Sequence, residues 1–243
     1  MALIVEQIGP SGSGKTTVYA AVTRLAVAGA SWAPAQAFFG GVPRCRLGDA
    51  EGGPAPLPTP FDDDGLDRAG DRFLEQNPAF AAFLWEQITD AYRSDARGVD
   101  IRLSVVGGAY IGMAQFQAVS ESGDPRICFL DEGLTHNAYL GNWPTMDVVG
   151  QYVSLLPRLP SAAVRLMAPV EAIVERIKGR PERVFYHRGR SDDELAEIVR
   201  MSSASTARMA EQLARRDVVV LEVDALRDAA VNAAAIVSFL ESL

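Results

Sequence analysis

Cysteine is almost absent from this chain, with only Cys45 and Cys128 among 243 residues. Two thiols are too few for a disulfide framework or a cysteine-built zinc cluster. Cys128 lies inside the apolar run ICFL and reads as a buried free thiol. Histidine is equally scarce, and neither a His/Cys/Glu constellation for zinc nor a Ser-His-Asp arrangement can be assembled. Long apolar runs are missing too: none reaches the roughly 18 residues that a membrane helix needs. The N-terminus enters a strand pattern without a basic leader, so the expected setting is cytoplasmic, away from membranes. Positive charge is not in surplus either. The net charge is -8 and the pI about 4.9, whereas a duplex-binding surface needs clustered Lys and Arg. Nucleic acid is therefore disfavoured as a general partner, which leaves room for a local basic site.

What is present is the composition of a globular protein, 48% hydrophobic and 22% charged, long enough for one large α/β domain over residues 1–243. Short apolar runs at 2–8, 127–130, 163–167 and 217–223 read as strands. Helical patterns fill 15–28, 66–96 (broken near Asn77-Pro78), 102–119, 146–156, 170–178, 192–215 and 225–243. Residues 29–61 read as irregular, and the Gly/Pro-rich stretch 49–65 as an exposed loop. Alternating strands and helices predict a mainly parallel sheet with helices on both faces, a three-layer α/β fold. No internal repeat is visible.

The first strand runs into Gly9-Pro10-Ser11-Gly12-Ser13-Gly14-Lys15-Thr16, which fits G-x-x-x-x-G-K-[ST] at every fixed position. The glycines let successive backbone N–H groups turn inward around a β-phosphate, and the loop ends at a helix N-terminus that favours anions. Lys15 reaches the β- and γ-phosphates and the Thr16 hydroxyl coordinates Mg²⁺. Gly9, Ser11, Gly12, Ser13, Gly14, Lys15, Thr16 and Thr17 are thus candidate nucleotide contacts, with ATP and Mg²⁺ as the implied ligands. ATP is preferred to GTP because no guanine-reading Asn-Lys-x-Asp run is present.

Two further clusters carry charge. The run 127–130 delivers Asp131 and Glu132 to the C-terminal end of a strand, the edge where open α/β sheets bind ligands. Asp131 is the candidate second metal ligand; for a hydroxyl acceptor Asp131 or Glu132 would be the general base, and Glu132 could instead orient the acceptor or be structural. Farther on, ERIKGRPERVFYHRGR gathers Arg176, Arg180, Arg183, Arg188 and Arg190. Arginine binds phosphate oxygens bidentately and stabilises charge on a transferring phosphoryl group. The bland alternative is a solvated loop paired with Asp192, Asp193 and Glu194.

This layout resembles the nucleoside monophosphate kinase-like branch of P-loop kinases, especially thymidylate and deoxynucleoside kinases. The resemblance rests on the 9–16 loop, the Asp131-Glu132-Gly133 strand end, the Glu175-Arg176-Ile177 helix end, the Arg-rich loop and the final strand. It implies five parallel strands with the phosphate loop on a central one. It also implies an Arg-rich lid over about 176–191 that closes on ATP, and a helical acceptor-binding region over about 62–121. Arg176 would lie near the adenine or phosphates, and Arg180, Arg183, Arg188 or Arg190 would clamp phosphates. The chain departs from the pattern in carrying Glu-Gly after Asp131, where thymidylate kinases have an arginine, and in the insert 40–65.

On the acceptor side, Arg68 and Arg72 share a helix face and could hold a phosphate, or could pair with Asp67, Asp71 or Glu75. Phe80, Phe83, Leu84 and Trp85 read as a core face more readily than as a base-stacking surface. Tyr110, Gln115 and Gln117 are further polar options, and His136 and His187 are each either site or structural residues. The predicted chemistry is in-line transfer of the γ-phosphoryl group to a hydroxyl- or phosphate-bearing small molecule of nucleoside or nucleotide type. A sugar or antibiotic hydroxyl, a modified base within DNA or RNA, and a non-enzymatic ATPase switch are the competing readings. A homodimer is left open.

Overall fold

In the computed structural model, residues 3–27, 29–39, 63–91, 98–137, 146–181, 183–184 and 187–243 are described. Five strands form one sheet: β1 (Ile4–Ile8), β2 (Trp32–Pro34), β3 (Ile127–Leu130), β4 (Ala162–Met167) and β5 (Val219–Asp224). Their order is β2-β3-β1-β4-β5 and every pair is parallel. The central strand β1 sets Val5 beside Phe129 on one side and Ala162 on the other. All five of its residues are buried, as a parallel strand covered on both faces requires.

The helices are α1 (Lys15–Arg24), α2 (Gln36–Phe39), α3 (Asp63–Gln76), α4 (Pro78–Ala91) and α5 (Gly98–Glu121). After β3 come α6 (Leu134–Asn137), α7 (Met146–Leu155), α8 (Val170–Lys178), α9 (Asp192–Ala214) and α10 (Ala229–Glu241). One face of the sheet packs against α1 and α10, where Val18, Tyr19 and Val22 meet Ile236 and Leu240. The other carries Ile4 and Ile8 against α3, α4, α5, α7 and α9. Phe73 anchors that second layer, edge-on to Phe80 and Phe116 at centroid distances of 5.8 and 6.4 Å. Side chains Ile173 and Ile177 of α8 pack on Leu195 and Val199 of α9.

The architecture is the predicted one, with the phosphate loop following the middle strand of five. Strand β2 is a finding, because it lies within 29–61, where the residue pattern predicts no regular structure. It forms because β3 supplies partners at Ile127, Cys128 and Phe129. The Tyr19 hydroxyl also ties its end down, accepting from Ala35 N–H at 2.9 Å and donating to Phe129 O at 3.3 Å. Helix α3 begins at Asp63, inside the stretch read as loop, α5 begins at Gly98, before 102, and α1 stops at Arg24. The break at Asn77 is as predicted, with Pro78 opening α4 at the position where a missing N–H costs nothing. On α4, Phe80 and Leu84 are buried and Phe83 packs on the core, whereas Trp85 is 61% exposed. The readings of 40–62, including Cys45, and of 92–97 lie outside the described residues. Cys128 is buried and free. Among the described residues no helix is long and apolar enough to cross a membrane.

Candidate functional site

The phosphate loop is shaped by backbone needs that its letters meet. Gly12 and Gly14 sit at φ +88° and +102°, the left-handed region. A Cβ on Gly12 would also stand 2.9 Å from Ile177 Cγ1, so the loop lies directly against α8. Ser13 N–H donates to Pro10 O at 3.1 Å, and Val18 N–H to Gly14 O at 3.0 Å as α1 begins. Lys15 is 5% exposed. Its Nζ donates to Gly9 O at 2.7 Å and Pro10 O at 3.2 Å, and lies 3.5 Å from Glu132 Oε1. Thr16 and Thr17 are exposed on the first turn of α1.

Strand β3 lies beside β1, so Asp131 and Glu132 arrive next to this loop. The Thr16 hydroxyl hydrogen-bonds the Asp131 carboxylate. Asp131 Oδ1 is buried and has no hydrogen-bond partner. Burial, and then the Glu132 charge, push Asp131 up to about 7, against the pull of Lys15 and Thr16. A hydroxyl and a carboxylate with one uncommitted buried oxygen fit Mg²⁺, which keeps waters and substrate phosphates as its other ligands. Among the described residues no group of three His, Cys, Asp or Glu side chains offers a protein-only metal cage.

Glu132 is 40% exposed at its side chain and sits between two nitrogens. His136 Nε2 is 3.1 Å from Glu132 Oε1, the same oxygen that Lys15 Nζ approaches to 3.5 Å. Burial first, and the Lys15 charge with it, push His136 down to about 3, so the imidazole is neutral. Burial would raise Glu132, but the 3.1 Å contact with His136 and the Lys15 and Arg180 charges together outweigh it and hold the carboxylate below its ordinary range. Glu132 is therefore an ionised carboxylate in contact with the His136 imidazole and the Lys15 ammonium, within the field of Arg180.

Beneath this turn lies Glu6 of β1, fully buried. Leu134 N–H donates to its Oε1 at 3.1 Å and Thr135 N–H to its Oε2 at 2.9 Å, and the Thr135 hydroxyl bonds the same oxygen. Burial raises its pKa, and the Thr135 and Leu134 donors pull it part of the way back. Gly133 sits over this carboxyl: a Cβ there would come within 2.7 Å of Glu6 Cγ and closer still to the carboxyl carbon. The Tyr152 hydroxyl bonds Leu134 O from the other side.

The arginines divide by partner. Arg176 Nη1 donates to Ser13 O at 3.0 Å and Nη2 to Ala225 O at 2.7 Å, bridging the phosphate loop to the end of β5. The Arg180 charge bears on both Glu132 and His187. Arg188 Nε donates to Arg183 O at 2.8 Å, within the lid. Arg190 pairs with Glu194 at 3.1 Å, and Lys178 with Asp192 at 2.8 Å, so part of the basic loop does meet the acids that follow it. His187 is buried in the lid, and burial together with Arg180 and Arg183 pushes it down to about 4. On the acceptor side, Arg72 forms a two-point pair with Glu121, Nε to Oε1 at 3.1 Å and Nη2 to Oε2 at 2.5 Å, rather than with Asp67, Asp71 or Glu75. Arg68 is exposed on the same helix. The Tyr110 hydroxyl donates to Asp71 Oδ1 at 2.9 Å, and Gln117 bonds Gln76 and Glu121, so both brace α3 on α5.

The structure brings together the 9–17 loop, Asp131, Glu132, Arg176 and Arg180. Glu6 was not anticipated from the sequence, and His136 was anticipated only as one of two ambiguous histidines. The available signals were a glutamate inside an apolar strand and an i, i+4 spacing from Glu132.

No family model matches the chain, and no curated protein matches it in sequence. Solved structures match it in fold. Deoxyadenosine kinase from M. mycoides, with products dCMP and a flexible dCDP bound, is similar at a TM-score of 0.52 and 16% identity. That match covers 99% of this chain and 100% of that one. The same kinase with bound dATP gives 0.49 and 14%, covering 98% of each chain. Shikimate kinase from Acinetobacter baumannii with shikimate gives 0.36 and 14%, covering 100% of this chain and 94% of that one. The first match is a likeness of fold, and with the five-stranded parallel sheet it gives this chain the three-layer α/β fold of that solved structure.

Proposed function

We propose that this chain is a kinase that uses ATP and Mg²⁺ to phosphorylate a small acceptor of nucleoside or nucleotide type. The observation that carries the reading is the meeting, at one edge of the sheet, of Lys15 and Thr16 with Asp131, Glu132 and the lid residue Arg180. The likeness to a deoxyadenosine kinase is one of fold, and it makes a deoxynucleoside the first acceptor class to test.

In this reading the loop amides and Lys15 hold the β- and γ-phosphates, the ammonium exchanging its Gly9 and Pro10 carbonyls for phosphate oxygens. Thr16 and Asp131 would hold Mg²⁺, which would supply charge neutralisation for the transferring phosphoryl group. Arg180, and Arg188 once it leaves Arg183 O, stabilise charge on the moving phosphoryl group. Arg176 sets the loop from behind through Ser13 O and borders the nucleotide there. Where the acceptor is a hydroxyl, Glu132 receives its proton, oriented by His136. The oxygen then attacks phosphorus in line and ADP leaves. The helical region 62–121 supplies the acceptor side, with Arg68 as a contact and Arg72 available on exchange of Glu121. The lid over 176–191 keeps water out.

The test is an ATP-consumption screen with Mg²⁺ over deoxynucleosides, their monophosphates, sugars and modified-base DNA, with Lys15→Ala as the blank. Turnover with one acceptor class, lost in the variant, supports the kinase and names the acceptor. Hydrolysis indifferent to acceptor, or binding without turnover, moves the assignment to an ATPase switch.

A further inference from the structure

A carboxylate has no packing reason to occupy position 6. Its strand is central, and its same-face neighbours Ile4 and Ile8 belong to the apolar layer with Leu130, Leu134 and Tyr152. A buried charge is tolerated only where donors satisfy it. The three hydrogen bonds Glu6 accepts all come from one turn: Leu134 N–H, Thr135 N–H and the Thr135 hydroxyl. The fit is close enough that position 133 has no room for a side chain. Tyr152 holds the same turn through Leu134 O. Asp131 and Glu132 are the residues between the end of β3 and this anchor, and His136 follows Thr135 directly. Any shift of the anchor is passed to all three.

We propose that Glu6 is a positioning residue, a buried carboxyl whose oxygens hold the 131–135 turn so that Asp131 faces Thr16 and Glu132 faces Lys15. The inference rests on the kinase reading of the same site. A leucine at position 6 would fill the space but strand two amides and a hydroxyl, and the turn would move to find other partners. A merely structural glutamate would affect melting without touching the metal response. A positioning one changes what Asp131 can hold.

The experiment uses the full chain as wild type, Glu6→Gln and Thr135→Val. Glutamine keeps the shape and one acceptor oxygen but turns an NH₂ toward a donor; valine removes only the hydroxyl. The readouts are kcat and KM for ATP with the acceptor found by the screen, the Mg²⁺ concentration for half-maximal rate, and the Mg²⁺-dependent part of the Tm rise on adding ATP. Glu6→Gln is expected to lower kcat roughly 10- to 100-fold, the scale of a small misplacement at a reacting centre. It should raise the Mg²⁺ requirement on the order of 10-fold, the lower end for a lost supporting contact. KM for ATP should stay within about threefold, since the loop amides are untouched. Thr135→Val should move the same readouts the same way, less far. Lower Tm with wild-type kcat and Mg²⁺ dependence in both variants overturns the inference. If Glu6→Gln does not fold, Thr135→Val decides by the same criteria. If the wild type turns over no acceptor, the kinase reading fails, and the Mg²⁺-dependent Tm shift still decides on Glu6: reduced in the variants it supports the anchor, unchanged it overturns it.

Discussion

Mild acid should loosen the Arg-rich loop around His187, and that imidazole should be the cause. Its imidazole is 1% exposed and pushed down to about 4 from an ordinary 6.5, first by burial and then by Arg180 and Arg183. Because the pKa in the packed loop is depressed, a loosened loop takes up a proton between pH 6.5 and 4 that the packed one refuses. The contribution of the neutral imidazole is therefore fully present above about pH 6.5 and is lost as pH falls toward 4. At roughly 1.4 kcal/mol per unit the gap corresponds to about 3 kcal/mol. Relaxation and water penetration around the buried group trim this to about 1–2 kcal/mol, a shift of roughly 5- to 30-fold in the loosening equilibrium. Glu194 does not confuse the window, since the Ser191 amide and hydroxyl, and then Arg190, hold it below its ordinary range. The assay is hydrogen exchange of the segment 187–199, corrected for intrinsic rate, at pH 7.5 and 5 in the wild type and His187→Gln. Protection should fall in the wild type and stay level in the variant. Equal loss in both, or none in either, refutes the reasoning.

Gly133→Ala drives a methyl into the Glu6 carboxyl and should cost about 1–3 kcal/mol, seen as a Tm lowered by several degrees in a thermal melt. Arg180→Ala should lower kcat on the order of 100-fold or more with little change in KM for ATP, whereas Arg188→Ala should cost less, because its Nε rests on Arg183 O. Steady-state kinetics on the two variants side by side check the ranking. A double-mutant cycle on Arg72 and Glu121 should return a coupling of roughly 0.5–1 kcal/mol in denaturant unfolding, the scale of an exposed two-point pair. A rise in acceptor KM for Arg72→Ala larger than for Glu121→Ala would mark Arg72 as an acceptor contact as well.

The parts of the site legible in the sequence are those where chemistry dictates the letters. The 9–16 loop needs glycine where φ is positive and lysine at the helix start, so its spacing identified it. Asp131 was readable because ICFL is too short and too apolar to be anything but a buried strand, and such strands deliver their next residue to the ligand edge. Strand β2 was hidden because Trp-Ala-Pro has no alternation and includes a proline; β3 and the Tyr19 hydroxyl make it a strand. Glu6 was invisible as an anchor because its donors lie 128 and 129 positions away. His136 depends on the four-residue α6 to face Glu132, and no periodicity operates over so short an element. Which lid arginine turns inward is a matter of competing carbonyls and acids, and Arg176 and Arg190 found partners of this kind.

Lysine occurs only at positions 15 and 178. The first is buried in the phosphate loop against Glu132, and the second is braced between Glu175 and Asp192 on the outside of α8. Amine-directed reagents, including ATP analogues that acylate a nearby ammonium, therefore have two side chains and the N-terminus to choose from. Labelling that ATP blocks at one of the two reports on loop occupancy without a known acceptor. Replacing Lys178 with arginine would leave Lys15 as the lone side-chain amine, so that labelling of the chain tests the proposed phosphate contact directly.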